Sequence, residues 1–204
     1  MNRSDVLECV ARLRGGVPMI ISPGLQNHPI GLRADDPLTI YGMDMSYATP
    51  IALGIALGWP DRKAVALTGD GDLLAGPGVL TTIARYAPPN LIVIVFDNGA
   101  YLTTGTGRAP TATETGTDLE GLGRCAGMTH TCTVAEIGAA REAIERAFRE
   151  PGPWLVVAKV DRTDRQRSEG AEPLPVDVYE SGLRFRRAAL AQRAATSRPK
   201  GDAG

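Results

Sequence analysis

Residues 64–105 constrain the fold of this chain more than any other stretch. An apolar, β-branched run over 64–67 stops at Thr68 and gives way to Gly69-Asp70-Gly71-Asp72. A helix-like segment is expected from Leu73 to about Tyr86, where Pro88-Pro89-Asn90 breaks it. A second apolar run over 91–96 then ends abruptly in Asp97-Asn98-Gly99. Two short apolar runs flanking a helix, each followed by a polar, glycine-rich turn, predict a strand–helix–strand unit. In a parallel sheet both turns emerge at the same carboxyl edge, where α/β folds place their ligands.

That placement carries a chemistry. Asp70 offers a carboxylate and Asn98 an amide oxygen from neighbouring strand ends. Hard oxygen donors suit Mg²⁺, which takes few protein ligands and completes its shell with water and substrate phosphates. Gly69 and Gly71 let the backbone approach a bulky anion. The N–H groups of Asp72, Leu73 and Leu74 open the expected helix and can meet phosphate oxygens. The stretch therefore reads as a cradle for Mg²⁺ and a diphosphate.

At 204 residues, with 43% hydrophobic content, the chain is long enough for one α/β domain with a sizeable core. The formal net charge of −1 gives no reason to expect a nucleic-acid or membrane-surface partner. No apolar run reaches the ~18 residues of a membrane span, and the N-terminus lacks a signal-peptide core, so a cytoplasmic protein is expected. Cys9, Cys125 and Cys132 form no C-x-x-C pair, which argues against zinc or iron–sulfur and for buried, reduced thiols.

The rest of the chain alternates in the same way. Residues 4–13 read as a capped amphipathic helix, 17–21 and 37–41 as strands, and 47–58 as a small-residue helix able to pack on a sheet or on a facing subunit. Between the two strands lies a polar loop with His28, which could bind an anion or move a proton. Residues 101–117 are rich in Thr and Gly, have no hydrophobic period, and are expected to form an active-site loop; Arg108 in it suits an oxyanion. A helix over 118–128, a strand over 129–133, an amphipathic helix over 134–149 and a strand over 154–160 follow. Six strands alternating with helices predict an α/β doubly wound parallel sheet. The domain is expected over residues 1–165, with a linker, a basic helix docked on the body and a disordered tail over 166–204.

Gly69-Asp70-Gly71, then 25 residues, then Asp97-Asn98 resembles the thiamine diphosphate-binding sequence of the enzymes that use this cofactor, usually Gly-Asp-Gly followed by two Asn. The resemblance implies Asp70, Asn98 and the Ala100 carbonyl as Mg²⁺ ligands, with Asp97 standing where the first Asn is usual. It implies cofactor contacts from Gly69, Gly71, Asp72, Leu73 and Leu102. Residues 42–58 resemble the Gly-Ser-Met-Gly-like turn and following helix of the same enzymes. Met45 then matches the bulky residue that props the cofactor in a bent shape, and backbone carbonyls of Met43 and Met45 would hold the aminopyrimidine edge. Met43 and Ser46 occupy positions where glycine is usual.

Within that family, Asp97-Asn98-Gly99-Ala100 and the Thr-Gly pair beyond it resemble the sulfopyruvate and phosphonopyruvate decarboxylases, nearest their beta subunit. The resemblance implies an anionic 2-oxo acid as substrate, with His28, Thr104 and Arg108 as the candidate groups facing it. It covers only the pyrophosphate-binding domain, so a partner chain with the pyrimidine-binding domain is expected, in a heteromer with at least two copies of each. A carboligase of the acetolactate synthase type and a non-catalytic interaction module that keeps the fold are the alternatives. A nucleotide-binding Rossmann domain has less support, because no G-x-G-x-x-G follows the first strand.

Overall fold

The computed structural model describes residues 1–24, 35–42, 44–101, 109–162 and 174–196. Its centre is a six-stranded, wholly parallel sheet. The strands are β1 (Met19–Ile21), β2 (Thr39–Tyr41), β3 (Ala64–Gly69), β4 (Leu91–Asp97), β7 (His130–Val134) and β8 (Trp154–Lys159). In the order β2-β1-β3-β4-β8-β7, the chain runs from β1 out to β2 on one side; on the other it runs from β3 to β4, out to the edge strand β7 and back to β8 between them. The strand order thus reverses beside β1 and β3, and the crevice outside their carboxyl ends is the place such sheets hold ligands.

The apolar runs become the two central strands because both of their faces are covered. Alternation along β3 sends Val65 and Leu67 to one layer and Ala64 and Ala66 to the other. β4 divides the same way, with Ile92, Ile94 and Phe96 against Leu91, Val93 and Val95. One layer is closed by α1 (Arg3–Leu13) and α6 (Ile137–Arg149), through Val6, Val10, Ala140 and Ile144. The other is closed by α2 (Ala48–Gly58), α4 (Val79–Tyr86) and α5 (Leu119–Cys125), through Ala52, Ala56, Leu80, Ile83 and Leu119. Each buried Val, Leu or Ile contributes ~1.5–3 kcal/mol, so the sheet centre is the stablest platform the chain has for a site at its edge.

Several elements differ from the expected boundaries. The helix expected from Leu73 to Tyr86 is two helices, α3 (Asp70–Leu74) and α4, separated at Ala75-Gly76-Pro77-Gly78. Pro77 has no N–H to continue the ladder and disfavours a helical residue before it. Gly76 also lets the chain pass close to the preceding turn, since a Cβ there would fall 2.8 Å from the Ser46 Cβ. α1 is capped by Asn2, whose side chain accepts from the Ser4 N–H at 2.8 Å, rather than from within residues 4–5. Val134 ends β7 instead of opening a helix, and α5 stops at Cys125.

The stretch 101–117 is more ordered at its ends than its composition suggests. β5 (Ala100–Tyr101) pairs antiparallel with β6 (Ala109–Pro110), and a 3₁₀ turn spans Ala112–Thr115. The expected C-terminal helix is α7 (Val178–Thr196), and it lies against β2. There the Tyr41 N–H donates to the Ser181 hydroxyl at 3.1 Å, and the Arg184 guanidinium donates to both Asp35 carboxylate oxygens at 2.7 and 2.6 Å. All three cysteines are free; Cys9 is buried, but Cys132 is half-buried and Cys125 is exposed, contrary to the expectation for all three. No helix among the described residues is long and apolar enough to cross a membrane.

Candidate functional site

β3 and β4 are adjacent, with Gly69 paired to Phe96 in parallel register, so the turns that follow them meet. β3 hands directly into α3, with Gly69 as an extended N-cap and Asp70 as the first helical residue, three residues earlier than expected. β4 ends in Asp97 and passes through Asn98 to Gly99, whose φ of +67° is left-handed and suits glycine. Asp70, Asp72, Asp97 and Asn98 are all buried.

The two turns are joined through Asp70. Its Oδ2 accepts from the Gly99 N–H at 3.1 Å, from the Thr111 hydroxyl, and from the Thr113 hydroxyl at 3.0 Å. Asp97 Oδ1 shares the same Gly99 N–H at 3.2 Å and lies 2.8 Å from the Thr113 hydroxyl, whose one proton serves either acid, while its Oδ2 is ion-paired with Lys159 at the end of β8. The Asn98 amide oxygen accepts from the Ala100 N–H at 3.0 Å, which closes the turn. The Asn98 carbonyl accepts from Arg162 Nε at 3.2 Å, and Arg162 is in turn paired with Glu114 of the 3₁₀ turn. The strand ends of β3, β4 and β8 are thus stitched by one segment, residues 111–114.

The electrostatics follow from burial. Desolvation pushes the Asp70 carboxyl above its ordinary value, the nearby Asp97 charge pushes the same way, and the threonine hydroxyls pull back. Two acids thus share a buried corner in which Lys159 is paired to Asp97. A divalent cation would relieve that charge. A carboxylate, an amide oxygen and a carbonyl, as Asp70, Asn98 and Ala100 provide, are hard donors of the kind Mg²⁺ accepts. Among the described residues no group of three or more His, Cys, Asp or Glu could hold a metal. The donor chemistry fits Mg²⁺.

The other expected cofactor residues lie in different surroundings. Gly69 opens onto free space, with nothing within 4 Å of where a Cβ would stand. At Gly71 that space is already taken by the Tyr101 ring, at 2.2 Å from Cε1. Leu73 is buried in the core. The Asp72 side chain faces the turn before α2, where its Oδ1 accepts from the Ser46 N–H at 2.9 Å and its Oδ2 from the Thr68 hydroxyl. Burial raises the Asp72 carboxyl, offset by those two donors. Ser46 itself has φ +70°, so the backbone holds a glycine-like conformation at a serine. Met45, beside it, is 39% exposed at the same edge of the sheet and free to meet an apolar ligand surface. His28, Met43, Leu102, Thr104 and Arg108 lie outside the described residues.

Thr111, Thr113, Lys159, Arg162 and Tyr101 were not picked out by the sequence as parts of this corner. Their contacts with Asp70, Gly71, Asp97 and Asn98 span between 16 and 64 positions of chain. The hint lay in two hydroxyls at alternate positions directly after Pro110, in a stretch too short of apolar residues to be ordered by a core.

The family description "Thiamine pyrophosphate enzyme, C-terminal TPP binding domain" matches residues 36–158. Sulfopyruvate decarboxylase of Methanosarcina acetivorans is 31% identical over 142 residues, covering 70% of this chain and 35% of that protein. Sulfopyruvate decarboxylase subunit beta of Methanocaldococcus jannaschii is 29% identical over 159 residues, covering 77% of this chain and 82% of the subunit. Phosphonopyruvate decarboxylase of Streptomyces viridochromogenes is 34% identical over 114 residues, covering 55% of this chain and 27% of that protein. Among solved structures, the thiamine diphosphate-dependent 4-hydroxybenzoylformate decarboxylase of Rhodococcus jostii RHA1 superposes with a TM-score of 0.62 at 22% identity, over 77% of this chain and 32% of that one. The last likeness speaks to fold alone. The chain spans about a third of the length of the Methanosarcina protein and most of the Methanocaldococcus subunit.

Proposed function

The chain belongs to the thiamine pyrophosphate enzymes through their C-terminal TPP-binding domain, and on that premise we propose that it is the cofactor-anchoring subunit of a split, Mg²⁺-dependent 2-oxo acid decarboxylase. The substrate proposed is a 2-oxo acid with an anionic tail, of the sulfopyruvate or phosphonopyruvate type. The names of the relatives support the reaction class, and the word "subunit" in the Methanocaldococcus name supports a partner chain. The observation that carries the reading is the convergence of the buried Asp70 carboxylate on the Asp97–Gly99 turn.

In this reading Asp70, Asn98 and the Ala100 carbonyl would hold Mg²⁺, and the Gly69–Leu73 backbone would face the diphosphate. Bound thiamine diphosphate supplies the electron sink that makes loss of carbon dioxide feasible. Met45, with Met43 and Leu102, shapes the space for the organic part of the cofactor. Lys159 neutralises Asp97 and so keeps the second acid from competing for the cation. His28, Thr104 and Arg108 are the groups proposed to face the substrate, Arg108 as the fork for an oxyanion. The partner brings the pyrimidine-binding domain, and the assembly is proposed to work in the cytoplasm with at least two copies of each chain.

The test is reconstitution with a co-expressed pyrimidine-domain chain, followed by carbon dioxide release from sulfopyruvate and phosphonopyruvate. Turnover that needs both chains, thiamine diphosphate and Mg²⁺ is expected. Product formed only when an aldehyde acceptor is added would make the protein a carboligase instead. Assembly without any turnover, unchanged by Asp70→Ala, would leave an interaction module.

A further inference from the structure

Three donor groups converge on a single oxygen of Asp70. They are the Gly99 N–H at 3.1 Å, the Thr111 hydroxyl, and the Thr113 hydroxyl at 3.0 Å, all on Oδ2. The two hydroxyls also touch each other at 2.9 Å, and Thr113 reaches Asp97 Oδ1 at 2.8 Å. Thr111 is itself buried and is held by its own N–H, which donates to the Gly99 carbonyl at 3.1 Å. The pair is therefore fixed to the same turn that carries Asn98.

A carboxylate oxygen has about two lone-pair directions to offer, and the Gly99 N–H and the Thr111 hydroxyl fill them; the one proton of Thr113, shared between Asp70 and Asp97, holds Thr111 and both acids in place, which leaves Oδ2 nothing for a cation. Mg²⁺ demands near-octahedral geometry and tolerates little misplacement of a ligand oxygen. We infer that Thr111 and Thr113 are positioning residues for the cation: by saturating one oxygen of Asp70 they turn the carboxylate so that its other oxygen serves the metal. The inference rests on the cation reading given under the proposed function. Without the hydroxyls, the carboxylate rotates between two equivalent oxygens, and the geometry Mg²⁺ requires is held only part of the time. Partners that orient a metal ligand typically change affinity by about 10–100-fold when removed.

The experiment uses the full chain, with Mn²⁺ as the paramagnetic probe and thiamine diphosphate in excess. Loss of the free-ion resonance beyond that in a protein-free thiamine diphosphate blank gives the Mn²⁺ dissociation constant, and thermal unfolding without metal reports the fold separately. Wild type is expected to bind, and Asp70→Ala to lose binding. Thr111→Val and Thr113→Val should each weaken Mn²⁺ by about 10-fold, while Thr113→Ser stays within about 3-fold of wild type. Should either valine variant fail to fold, the alanine variants carry the same comparison. Valine variants that keep wild-type affinity while Asp70→Ala loses it would overturn the inference and leave the threonines as tethers of the hairpin. Equal weakening by Thr113→Ser would also overturn it, because packing rather than the hydroxyl would then be responsible. Absence of any Mn²⁺ binding by wild type would instead strike the cation reading itself.

Discussion

Replacing Gly71 with alanine drives a methyl group into the Tyr101 ring. The new Cβ would stand 2.2 Å from Cε1, 2.8 Å from Cδ1 and 2.9 Å from Cζ. Carbon atoms settle at about 3.5–4.0 Å, so the ring must retreat by about 1.5 Å. Tyr101 ends β5 opposite Ala109, and the retreat pulls on the hairpin that leads to Thr111. Overpacking of this size costs about 1–3 kcal/mol. Against it stands the gain of ~0.5–1 kcal/mol for alanine over glycine in a helix, since Gly71 lies within α3. The single variant should therefore lose up to about 2 kcal/mol, or several degrees of melting temperature for a chain of this size. The decisive quantity is the coupling. In a Tyr101→Ala background the clash is gone, and Gly71→Ala should be neutral or stabilising. A double-mutant cycle by urea unfolding should then give a coupling of about 1–3 kcal/mol. A coupling below about 0.5 kcal/mol would refute the packing of Tyr101 over Gly71.

Other outcomes follow from the same geometry. Lys159→Met removes the cation from the buried Asp97 carboxylate; with Lys159 itself 45% exposed, the cost should be about 1–2 kcal/mol and should shrink in high salt, read from urea midpoints. Asp70 has its folded-state carboxyl raised by burial and by Asp97, so in the metal-free protein its contribution to stability is present below the unfolded value of 3.8 and is lost as pH rises through the folded one. Asp70→Asn should accordingly gain stability relative to wild type as pH increases through that window, and a stability difference that stays flat with pH would contradict it. Asn90 is buried and its amide donates to the carbonyls of Ala56, Trp59 and Arg62 at 3.0, 3.1 and 2.6 Å. Asn90→Ala removes those bonds, leaving the Trp59 carbonyl with the Arg62 N–H alone, and should cost about 2–4 kcal/mol by thermal or urea unfolding.

What the sequence made legible was the part governed by local pattern. The uninterrupted apolar runs before Asp70 and Asp97 could only be central strands, and two such strands joined by one crossover place their ends side by side. That is why Asp70 and the Asn98 turn were readable as one corner. The break at Pro77 was also written locally, as a proline between two glycines, but the apolar spacing on either side masked it. The contacts of residues 109–115 were not readable, because nothing periodic orders that segment. It is ordered by hydroxyls meeting carboxylates about 40 positions away, and a polar residue in a loop has the same appearance whether or not such a partner exists. The same holds for Ser46. The one hint was that Ser46 stands where the resembling enzymes carry glycine; its backbone is held in the left-handed region by Asp72 and by the close approach of Gly76.

The most direct test of the account is calorimetric titration of thiamine diphosphate into the chain with and without Mg²⁺, for wild type, Asp70→Ala and Asn98→Ala. The account predicts binding by wild type only when Mg²⁺ is present, weak in the absence of the partner chain, and none by either variant although both remain folded. Equal binding with and without Mg²⁺, or binding that survives the loss of Asp70, would contradict it.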